Sequence, residues 1–365
     1  MIIGIPSEIK PDEYRVAVLP VGADLLSQSG HSVIIEKGAG LGSGYEDAEY
    51  AAAGAEIVAK PEEVFARAEM IIKVKEPQPE EIEKLKEGQI VFCYFHFAGS
   101  RDLTESCLAR KISAVAYETL ADERNHLPLL TPMSEIAGKM SIQEGAKCLE
   151  KPMMGRGILL GGVTGVEPAR VLVLGGGIVG ANAARVAAGL GATVVIMDIN
   201  LDRLRYLDDV MPANVSTVYC EPHAVERHAS EADLVVGAVL IPGGKAPGII
   251  TRDTLKIMKK GSALVDVSID QGGCCETSKP TTHSDPVFVL DDVVHYCVTN
   301  MPGAVGRTSS EALCNATLPY SLELANLGLD GFVGRSEGRA RALNMRDGEL
   351  TCPGVRETFP DLAME

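Results

Sequence analysis

The chain has 365 residues, 46% of them hydrophobic, which is enough for two domains with buried cores. A formal net charge of −16 without a run of basic residues argues against a nucleic-acid-binding protein, and no apolar run is long enough to span a membrane. The nine cysteines have neither redox nor zinc-site spacing and the N-terminus has no signal-like core, so we expect a soluble cytoplasmic protein with reduced thiols.

Short apolar runs alternate with amphipathic stretches through the first 116 residues. This alternation predicts a largely parallel sheet with helices on both faces. The predicted strands span residues 2–6, 32–36, 56–58, 69–74, 90–95 and 112–116. The predicted helices span residues 21–29, 45–53, 61–68, 80–86 and 103–110.

Two long helices are predicted to bracket the following part of the chain. The first has Thr131 as its N-cap and runs to residue 151. The second opens with a capping box at residues 308–311, has a kink at Pro319 and ends at Gly328, after which the polar tail is expected to be partly loose. Between them we predict strands at residues 171–174, 192–197, 215–219, 233–239 and 262–269.

The simplest arrangement of these elements is an α/β protein with two lobes, each a mostly parallel sheet flanked by helices. Residues 1–130 and 307–365 would form a discontinuous substrate-binding and catalytic domain, and residues 131–306 a Rossmann-type domain inserted in it. We expect the functional groups of both lobes near the carboxyl ends of the strands, where open α/β sheets bind ligands.

The second lobe is organised around residues 171–180, VLVLGGGIVG, which predict a strand, a turn and a helix. Gly175, Gly177 and Gly180 fit the G-x-G-x-x-G pattern of dinucleotide-binding folds. Gly175 would allow the tight turn, Gly177 would let a pyrophosphate approach the backbone, and Gly180 would let the helix pack on the strand. A purely structural glycine turn is the alternative.

Asp198 ends the next predicted strand, near the spacing typical of the acidic residue that binds an adenosine ribose. Its carboxylate would accept hydrogen bonds from the ribose and would repel a 2′-phosphate, so NAD is favoured over NADP. Arg203 and Arg205 leave NADP open, because a basic side chain there could bind a 2′-phosphate.

Four polar side chains follow predicted strands, namely Arg15, Lys75, His96 and Asp270. A surface salt bridge is the alternative for Arg15, and a solvated lysine for Lys75. A core histidine is the alternative for His96, and a cap or turn aspartate for Asp270. Together the four supply a guanidinium for a carboxylate, an ammonium for an oxygen, an imidazole to move a proton and a carboxylate to orient an amine or water. This set is suited to the reductive amination of a small keto acid, and no metal site is predicted.

Motifs in both lobes resemble the alanine dehydrogenase family. They are MIIGIPSEIKPDEYRVAVLP, KVKEP, YFHFAG, LLTPMSEIAGKMSIQEGAKCLEK, GRGILLGGVTGVEPARVLVLGGGIVGANAA, DINLDRLRYLDD, VDVSIDQGGCCETSKPTTHSDP and HYCVTNMPGAVGRTS. The resemblance extends from residue 1 to about residue 327, with the motifs in order and with compatible spacing.

The resemblance implies an NAD-dependent L-alanine dehydrogenase that reversibly deaminates L-alanine to pyruvate and ammonium, in a homohexamer of two-domain subunits. It implies that Arg15 binds the substrate carboxylate and that Lys75 contacts the carboxylate or the carbonyl. It further implies that His96 is the general acid/base and that Asp270 assists at the amino nitrogen. The NAD site would be lined by Ser134, Gly175, Gly177, Ile178, Val179, Gly180, Asp198, Arg203, Cys220, Val239, Leu240, Ile269, Asn300 and Met301.

This chain departs from the family's usual residues at a few positions. Phe95 and Phe97 flank the predicted acid/base histidine where leucines are common, and could narrow the pocket or repack its outside. Gly306 replaces a proline and is expected to loosen a hinge between the domains. Cys220 replaces a serine near the adenosine, which would remove a hydrogen bond, and the pair Cys274–Cys275 is interpreted as packing.

Three other functions are compatible with this fold. The nucleotide-binding component of a proton-pumping transhydrogenase shares it, although His96 and its flanking residues favour the amino-acid enzyme. A saccharopine-type or lysine-type dehydrogenase would accept larger amino acids. A non-catalytic NAD sensor would bind the dinucleotide without turnover, and the four strand-end side chains argue against it.

Overall fold

The computed structural model describes residues 1–239 and 247–363, and the chain divides into two compact units. Unit 1 comprises residues 1–133 and 303–365, and unit 2 comprises residues 134–302. Each unit is built around one mostly parallel sheet with helices packed against it, which confirms the predicted α/β fold. None of the described helices is both long enough and apolar enough to cross a lipid bilayer.

The described part of unit 1 contains an eight-stranded sheet. Across it the strands lie in the order Glu56–Val58, Ser32–Glu36, Ile2–Ile5, Met70–Ile72, Ile90–Cys93, Ser113–Ala116, Leu343–Arg346 and Glu349–Leu350. The first six are parallel, and the last two join antiparallel. The helices of unit 1 are Pro20–Gln28, Asp47–Ala52, Pro61–Arg67, Pro79–Ile82, Arg101–Arg110, Gly306–Val333, Glu337–Ala342 and Pro353–Thr358.

Burial on both faces explains the sequence of the central strands in this sheet. Met70–Ile72 and Ile90–Cys93 are buried at every residue, as expected of parallel strands that are covered by helices on both sides. Polar side chains are therefore excluded from the strands themselves. The carboxyl ends of the strands are the first positions at which such side chains can be functional.

The C-terminal tail forms regular structure, so the prediction of a partly loose tail is wrong. The strand Leu343–Arg346 pairs with Ser113–Ala116 and extends the sheet of unit 1. Its Met345 side chain is fully buried in the core of that unit. The charged residues before and after this short strand conceal its apolar positions in the sequence.

The long C-terminal helix begins earlier than predicted, and its predicted end at Gly328 is confirmed. It starts at Gly306, and Glu311 accepts a hydrogen bond from the Tyr45 hydroxyl at 2.9 Å instead of closing a capping box. The backbone leaves the helical conformation at Gly328, where φ is 67°, and it remains helical at Pro319.

The described part of unit 2 contains a seven-stranded sheet in the order Val287–Leu290, Val293–Tyr296, Ala263–Asp266, Leu234–Gly237, Arg170–Leu174, Thr193–Asp198 and Val215–Tyr219. The pair at the Val287–Leu290 edge is antiparallel and the others are parallel. The helices are Ile178–Gly189, Leu201–Val210, Pro222–Glu231 and Arg252–Ile257, together with Thr131–Cys148, which begins in unit 1. The chain order reverses at Arg170–Leu174, so the glycine turn that follows this strand lies at the topological switch point.

The strand predicted over residues 262–269 is shorter than expected and ends at Asp266. The Asp266 carboxylate accepts the amide N–H of Ser268 at 3.0 Å, which turns the chain into the 3₁₀ helix Val267–Gln271. Asp270 therefore lies within this helix and not directly at the exit of a strand.

Candidate functional site

Three of the predicted site residues lie at one edge of the sheet in unit 1. The strands that precede them are neighbours and run parallel, so their carboxyl ends lie side by side. The segments that follow these strands carry Arg15, Lys75 and His96. The structure thus places at one sheet edge three segments, each with one of these side chains, that lie far apart in the sequence.

Arg15 is a buried cation with 3% exposure, so the alternative of a surface salt bridge is wrong. Its Nε donates to Oε1 of Glu13 at 2.6 Å, its Nη2 donates to Oε2 of the same carboxylate, and its Nη1 donates to Sδ of Met133 at 3.1 Å. Burial by itself would lower the pKa of Arg15, but the hydrogen bonds and the charge of Glu13 outweigh it and raise that pKa. A guanidinium that stays charged and is held in a fixed orientation is suited to bind a carboxylate.

The loop around Arg15 is held by close backbone packing. A Cβ on Gly42 would lie 2.7 Å from the carbonyl oxygen of Tyr14, and a Cβ on Gly306 would lie 2.6 Å from the same oxygen. This oxygen also accepts a hydrogen bond from Oγ of Ser43 at 2.9 Å. Gly306 is therefore a tightly packed residue within unit 1, and its expected effect on a hinge between the domains stays a prediction.

Lys75 adjoins a buried ion-pair network that sequence reasoning missed. The ammonium of Lys73 lies 3.1 Å from Glu8 and 2.8 Å from Glu81. Glu8 also accepts the backbone amides of Val74 at 2.6 Å and Lys75 at 3.4 Å. Burial raises the pKa of Glu8, and the charge of Lys73 opposes that rise. Glu8 therefore fixes the backbone that carries Lys75, which is 9% exposed and is not the solvated lysine of the alternative interpretation.

His96 has a backbone conformation that is uncommon for a residue other than glycine. Its φ of 51° and ψ of 43° lie in the left-handed region. The imidazole is 51% exposed, so the alternative of a core histidine is wrong. The ring stacks on Tyr94 with 5.9 Å between centroids and 4° between planes, and the Tyr94 hydroxyl donates to the carbonyl oxygen of Leu129. An oriented and accessible imidazole is suited to exchange protons with a ligand or water.

Phe95 and Phe97, which depart from the family pattern, belong to the hydrophobic core of unit 1. Both are 1% exposed, and their rings stack with 4.6 Å between centroids. Of the two alternatives for these residues, the structure favours repacking outside the pocket, because both rings are buried in the core and neither lies on the surface that carries the imidazole.

The glycine turn of unit 2 has the steric properties expected of a dinucleotide-binding turn. Gly175 has a φ of 102°, and a Cβ on Gly180 would lie 1.8 Å from the carbonyl oxygen of Gly175. A Cβ on Gly177, in contrast, would meet no described atom within 4 Å. Gly177 precedes the twelve-residue helix Ile178–Gly189, whose first amide N–H groups have no partner within the helix. The turn therefore fits a pyrophosphate that approaches Gly177 and binds those amides.

Asp198 holds the glycine turn from the end of the neighbouring strand. Its Oδ2 accepts the amide of Gly176 at 2.7 Å, and its Oδ1 accepts the amide of Asn200 at 2.8 Å. Arg203 donates from Nε to the carbonyl oxygen of Gly176 at 2.5 Å, and its guanidinium lies 5.0 Å from the centre of the Tyr206 ring. The carboxylate at this position favours a ribose hydroxyl over a 2′-phosphate.

Two further residues near Asp198 bear on the choice of dinucleotide. Arg205 forms an exposed ion pair with Asp202 at 2.5 Å. The amide of Cys220 donates to the carbonyl oxygen of Asp198 at 3.0 Å, and burial, together with the charge of Asp198, raises the pKa of the Cys220 thiol. A neutral thiol is a weak hydrogen-bond donor, which fits the expected loss of a hydrogen bond relative to serine.

Asp270 is exposed in unit 2 and lies close to three of the predicted cofactor residues. Its Oδ1 accepts the amide of Asn300 at 3.4 Å, and Asn300 has a φ of 59° in the left-handed region. Ile269 and Met301, which adjoin these two residues in the chain, are both buried. The structure thus brings together two loops that are thirty positions apart in the sequence.

Asp266, which sequence reasoning did not single out, organises the loop that carries Asp270. It is buried, and its carboxylate accepts the amides of Ser268 at 3.0 Å and Cys274 at 2.9 Å and the hydroxyl of Ser278 at 2.6 Å. The available sequence signal is an aspartate at the end of an apolar strand, followed by small polar residues that can donate to it.

The long helix Thr131–Cys148 packs against the start of the glycine-turn helix within unit 2. A Cβ on Gly138 would lie 2.2 Å from the carbonyl oxygen of Val179, so the two backbones are in direct contact. Ser134 lies one turn before Gly138 on this helix. Ile178 is exposed beside Val179.

Val239 is tied to the Asp270 loop, because its carbonyl oxygen accepts a hydrogen bond from Oγ of Ser268 at 2.8 Å. Leu240, the next predicted cofactor residue, lies outside the described residues.

The pair Cys274–Cys275 is buried, which confirms its interpretation as packing. A Cβ on Gly237 would lie 2.2 Å from Sγ of Cys274, so this thiol fills the space beside the strand.

Two protein-family models match the chain. The model described as "Alanine dehydrogenase/PNT, N-terminal domain" matches residues 4–137, and the model described as "Alanine dehydrogenase/PNT, C-terminal domain" matches residues 141–353. Together these two models account for nearly all of both units.

Individual proteins match over the same length. A protein named alanine dehydrogenase from Halomonas elongata is 52% identical over 359 residues, which are 98% of this chain and 97% of that protein. A solved structure of an L-alanine dehydrogenase is 46% identical, with a TM-score of 0.95 and full coverage of both chains. A solved transhydrogenase from Sinorhizobium meliloti is 23% identical, with a TM-score of 0.81, and covers 97% of this chain and 99% of its own. At that identity the transhydrogenase shows the shared fold alone.

Proposed function

Because this chain belongs to the alanine dehydrogenase/PNT family, we propose that it is an NAD-dependent L-alanine dehydrogenase. It deaminates L-alanine oxidatively to pyruvate and ammonium, and it catalyses the reverse reaction. The observation that carries the proposal is the sheet edge of unit 1 that presents Arg15, Lys75 and His96, in a chain whose other unit has a dinucleotide-binding glycine turn. A cytoplasmic homohexamer is the finer prediction that the family resemblance adds.

Unit 2 holds the cofactor in this proposal. The pyrophosphate binds the amide groups at the start of Ile178–Gly189, Gly177 lets it approach, and Asp198 binds the adenosine ribose. A dinucleotide held by these residues would supply the acceptor for the hydride that leaves the α-carbon of alanine. The other proposed contacts are Ser134, Gly175, Ile178, Val179, Gly180, Arg203, Cys220, Val239, Leu240, Ile269, Asn300 and Met301.

Unit 1 supplies most of the substrate contacts. The Arg15 guanidinium binds the substrate carboxylate through two hydrogen bonds, and the Lys75 ammonium contacts the carboxylate or the carbonyl oxygen. During deamination, neutral His96 takes a proton from the water that attacks the imino acid, and ammonia leaves as the carbonyl group forms. Asp270 assists at the amino nitrogen.

One spectrophotometric assay tests this function. NADH should be consumed when pyruvate and ammonium are both present, with little consumption of NADPH and of larger 2-keto acids. Equal use of NADPH would contradict the role of Asp198, and a preference for larger substrates would favour a saccharopine-type or lysine-type dehydrogenase. Binding of NAD without turnover of any amino acid would favour the sensor.

Replacing Arg15 with alanine should raise the KM for pyruvate by about tenfold or more, because the substrate carboxylate loses charge-assisted hydrogen bonds that contribute about 1.5–3 kcal/mol. The variant should also unfold at a lower temperature, because the buried Glu13 carboxylate loses the guanidinium with which it forms an ion pair. Steady-state kinetics and thermal unfolding measure the two effects separately.

The matched control is Lys10→Ala, which removes a partly exposed cation of the same loop and should change KM by less than about twofold. An unchanged KM in Arg15→Ala would mean that Arg15 pairs with Glu13 but does not bind the substrate carboxylate.

A further inference from the structure

We propose that Glu118 is a positioning residue for His96, an inference that rests on the proposed function. Glu118 lies in the 3₁₀ helix Tyr117–Thr119, directly after the strand Ser113–Ala116. That strand is the parallel neighbour of Ile90–Cys93, the strand that leads to His96. Topology alone therefore places the Glu118 carboxylate beside the turn that carries the proposed acid/base group.

The Glu118 carboxylate accepts hydrogen bonds from the amides of two consecutive residues, Phe95 and His96. Its Oε1 accepts the amide of His96 at 2.6 Å and the amide of Phe95 at 3.2 Å, and its Oε2 accepts the amide of Phe95 at 3.3 Å. The side chain is 12% exposed, so these bonds form with little competition from water. Two consecutive N–H groups that converge on one anion form a specific backbone site for it.

These hydrogen bonds matter because of the backbone conformation of His96. The left-handed region, at φ 51°, is intrinsically unfavourable for a residue with a side chain and persists only where surrounding contacts impose it. This conformation turns the chain from the strand into the 3₁₀ helix Phe97–Gly99, where the Gly99 amide donates to the His96 carbonyl oxygen at 2.8 Å. The turn, and with it the direction of the imidazole, depends on the carboxylate that fixes the His96 amide.

The geometry favours an action through the backbone over a direct bond to the ring. Nδ1 of His96 lies 4.0 Å from Oε1 of Glu118, which is too long for a hydrogen bond. The His96 ring instead stacks on the Tyr94 ring, which packs edge-to-face on Tyr117 at 5.0 Å between centroids. Glu118 sets the backbone and Tyr94 sets the ring plane, so the two contacts together define where the imidazole nitrogens lie.

The test compares Glu118→Ala, Glu118→Gln and Glu123→Gln in the deamination of alanine by the full-length enzyme. Glu118→Ala should lower kcat by about 100-fold and change the KM for alanine by less than about threefold, since the substrate-binding side chains are untouched. Glu118→Gln keeps an acceptor oxygen and should retain kcat within about tenfold of the wild-type value. Glu123→Gln removes an exposed carboxylate of the same segment and should behave as wild type.

A double mutant separates positioning from general structural support. In the His96→Ala background, Glu118→Ala should lower the residual rate by less than about twofold, because a positioning residue has no effect once its target is gone. An equal loss of rate in both backgrounds would overturn the inference, as would full kcat in a folded Glu118→Ala enzyme. Should Glu118→Ala fail to fold by circular dichroism, Glu118→Gln with and without His96→Ala provides the same comparison. A wild-type enzyme without activity toward alanine and NAD would overturn the proposed function and not the position of Glu118.

Discussion

Replacing His96 with alanine should lower kcat for alanine deamination by about 10²- to 10⁴-fold and leave the KM for alanine nearly unchanged. In the proposed mechanism the imidazole moves a proton in the chemical step and does not hold the substrate, whose carboxylate binds Arg15. The imidazole is half-exposed and stacked on Tyr94, so a small molecule can reach the space that its removal leaves. Free imidazole should therefore restore part of the lost rate.

The matched control for this variant is His126→Ala. His126 is an exposed imidazole of unit 1 that pairs with Asp122 at 3.2 Å, and its loss should leave both kinetic constants unchanged. Undiminished kcat in His96→Ala would remove His96 from the chemical step. A rise in KM alone would instead assign the imidazole to substrate binding.

The glycine turn could be predicted from the sequence because short-range steric demands restrict which residues can occupy its positions. Gly175 needs a positive φ and Gly180 needs to lie against the carbonyl oxygen of Gly175, so only glycine fits at either position. These demands appear in the sequence as a fixed spacing. The positions of Arg15, Lys75 and His96 could be anticipated for a comparable reason, since parallel strands bring their carboxyl ends to one edge. The catalytic roles of these three residues stay predictions.

The acidic partners of these side chains could not be predicted. Glu8, Glu13 and Glu118 contact the amide of Lys75, the guanidinium of Arg15 and the amide of His96 respectively. Nothing in the local sequence distinguishes these three from the other acidic residues, which number fifty with them. A buried lysine directly after an apolar strand, such as Lys73, requires a buried acidic partner, but the sequence does not say which one.

Asp266 and the C-terminal tail show a second limit of sequence reasoning. The predicted strand at residues 262–269 is apolar enough to continue, but a side-chain hydrogen bond from the backbone of Ser268 to Asp266 ends it. The strand Leu343–Arg346 has too few apolar residues to be recognised by alternation, and it is held by pairing with a strand more than two hundred residues earlier in the chain. Local side-chain capping and distant pairing both override the periodic signal.

Replacing Gly180 with alanine should destabilise the protein by about 3 kcal/mol or more and abolish NAD binding. The added Cβ would lie 1.8 Å from the carbonyl oxygen of Gly175, so the helix Ile178–Gly189 has to move away from the strand Arg170–Leu174. The atom that the Cβ would meet belongs to the backbone and not to a flexible side chain, so it cannot move aside at a low cost in free energy. That movement displaces the amide groups proposed to bind the pyrophosphate. Thermal unfolding with and without NAD measures both effects.

Two matched variants of the same segment separate the steric effect from the ligand effect. Gly189→Ala adds a Cβ that meets no described atom within 4 Å, and it should keep NAD binding while stabilising the helix by up to about 1 kcal/mol. Gly177→Ala also meets no described atom, so it should unfold as wild type does, yet it should weaken NAD binding because its methyl group occupies the path of the pyrophosphate. Wild-type affinity for NAD in Gly177→Ala would mean that the pyrophosphate does not approach the backbone at this glycine. Weaker NAD binding by a Gly177→Ala protein of wild-type stability would indicate that the pyrophosphate lies in the open space beside Gly177.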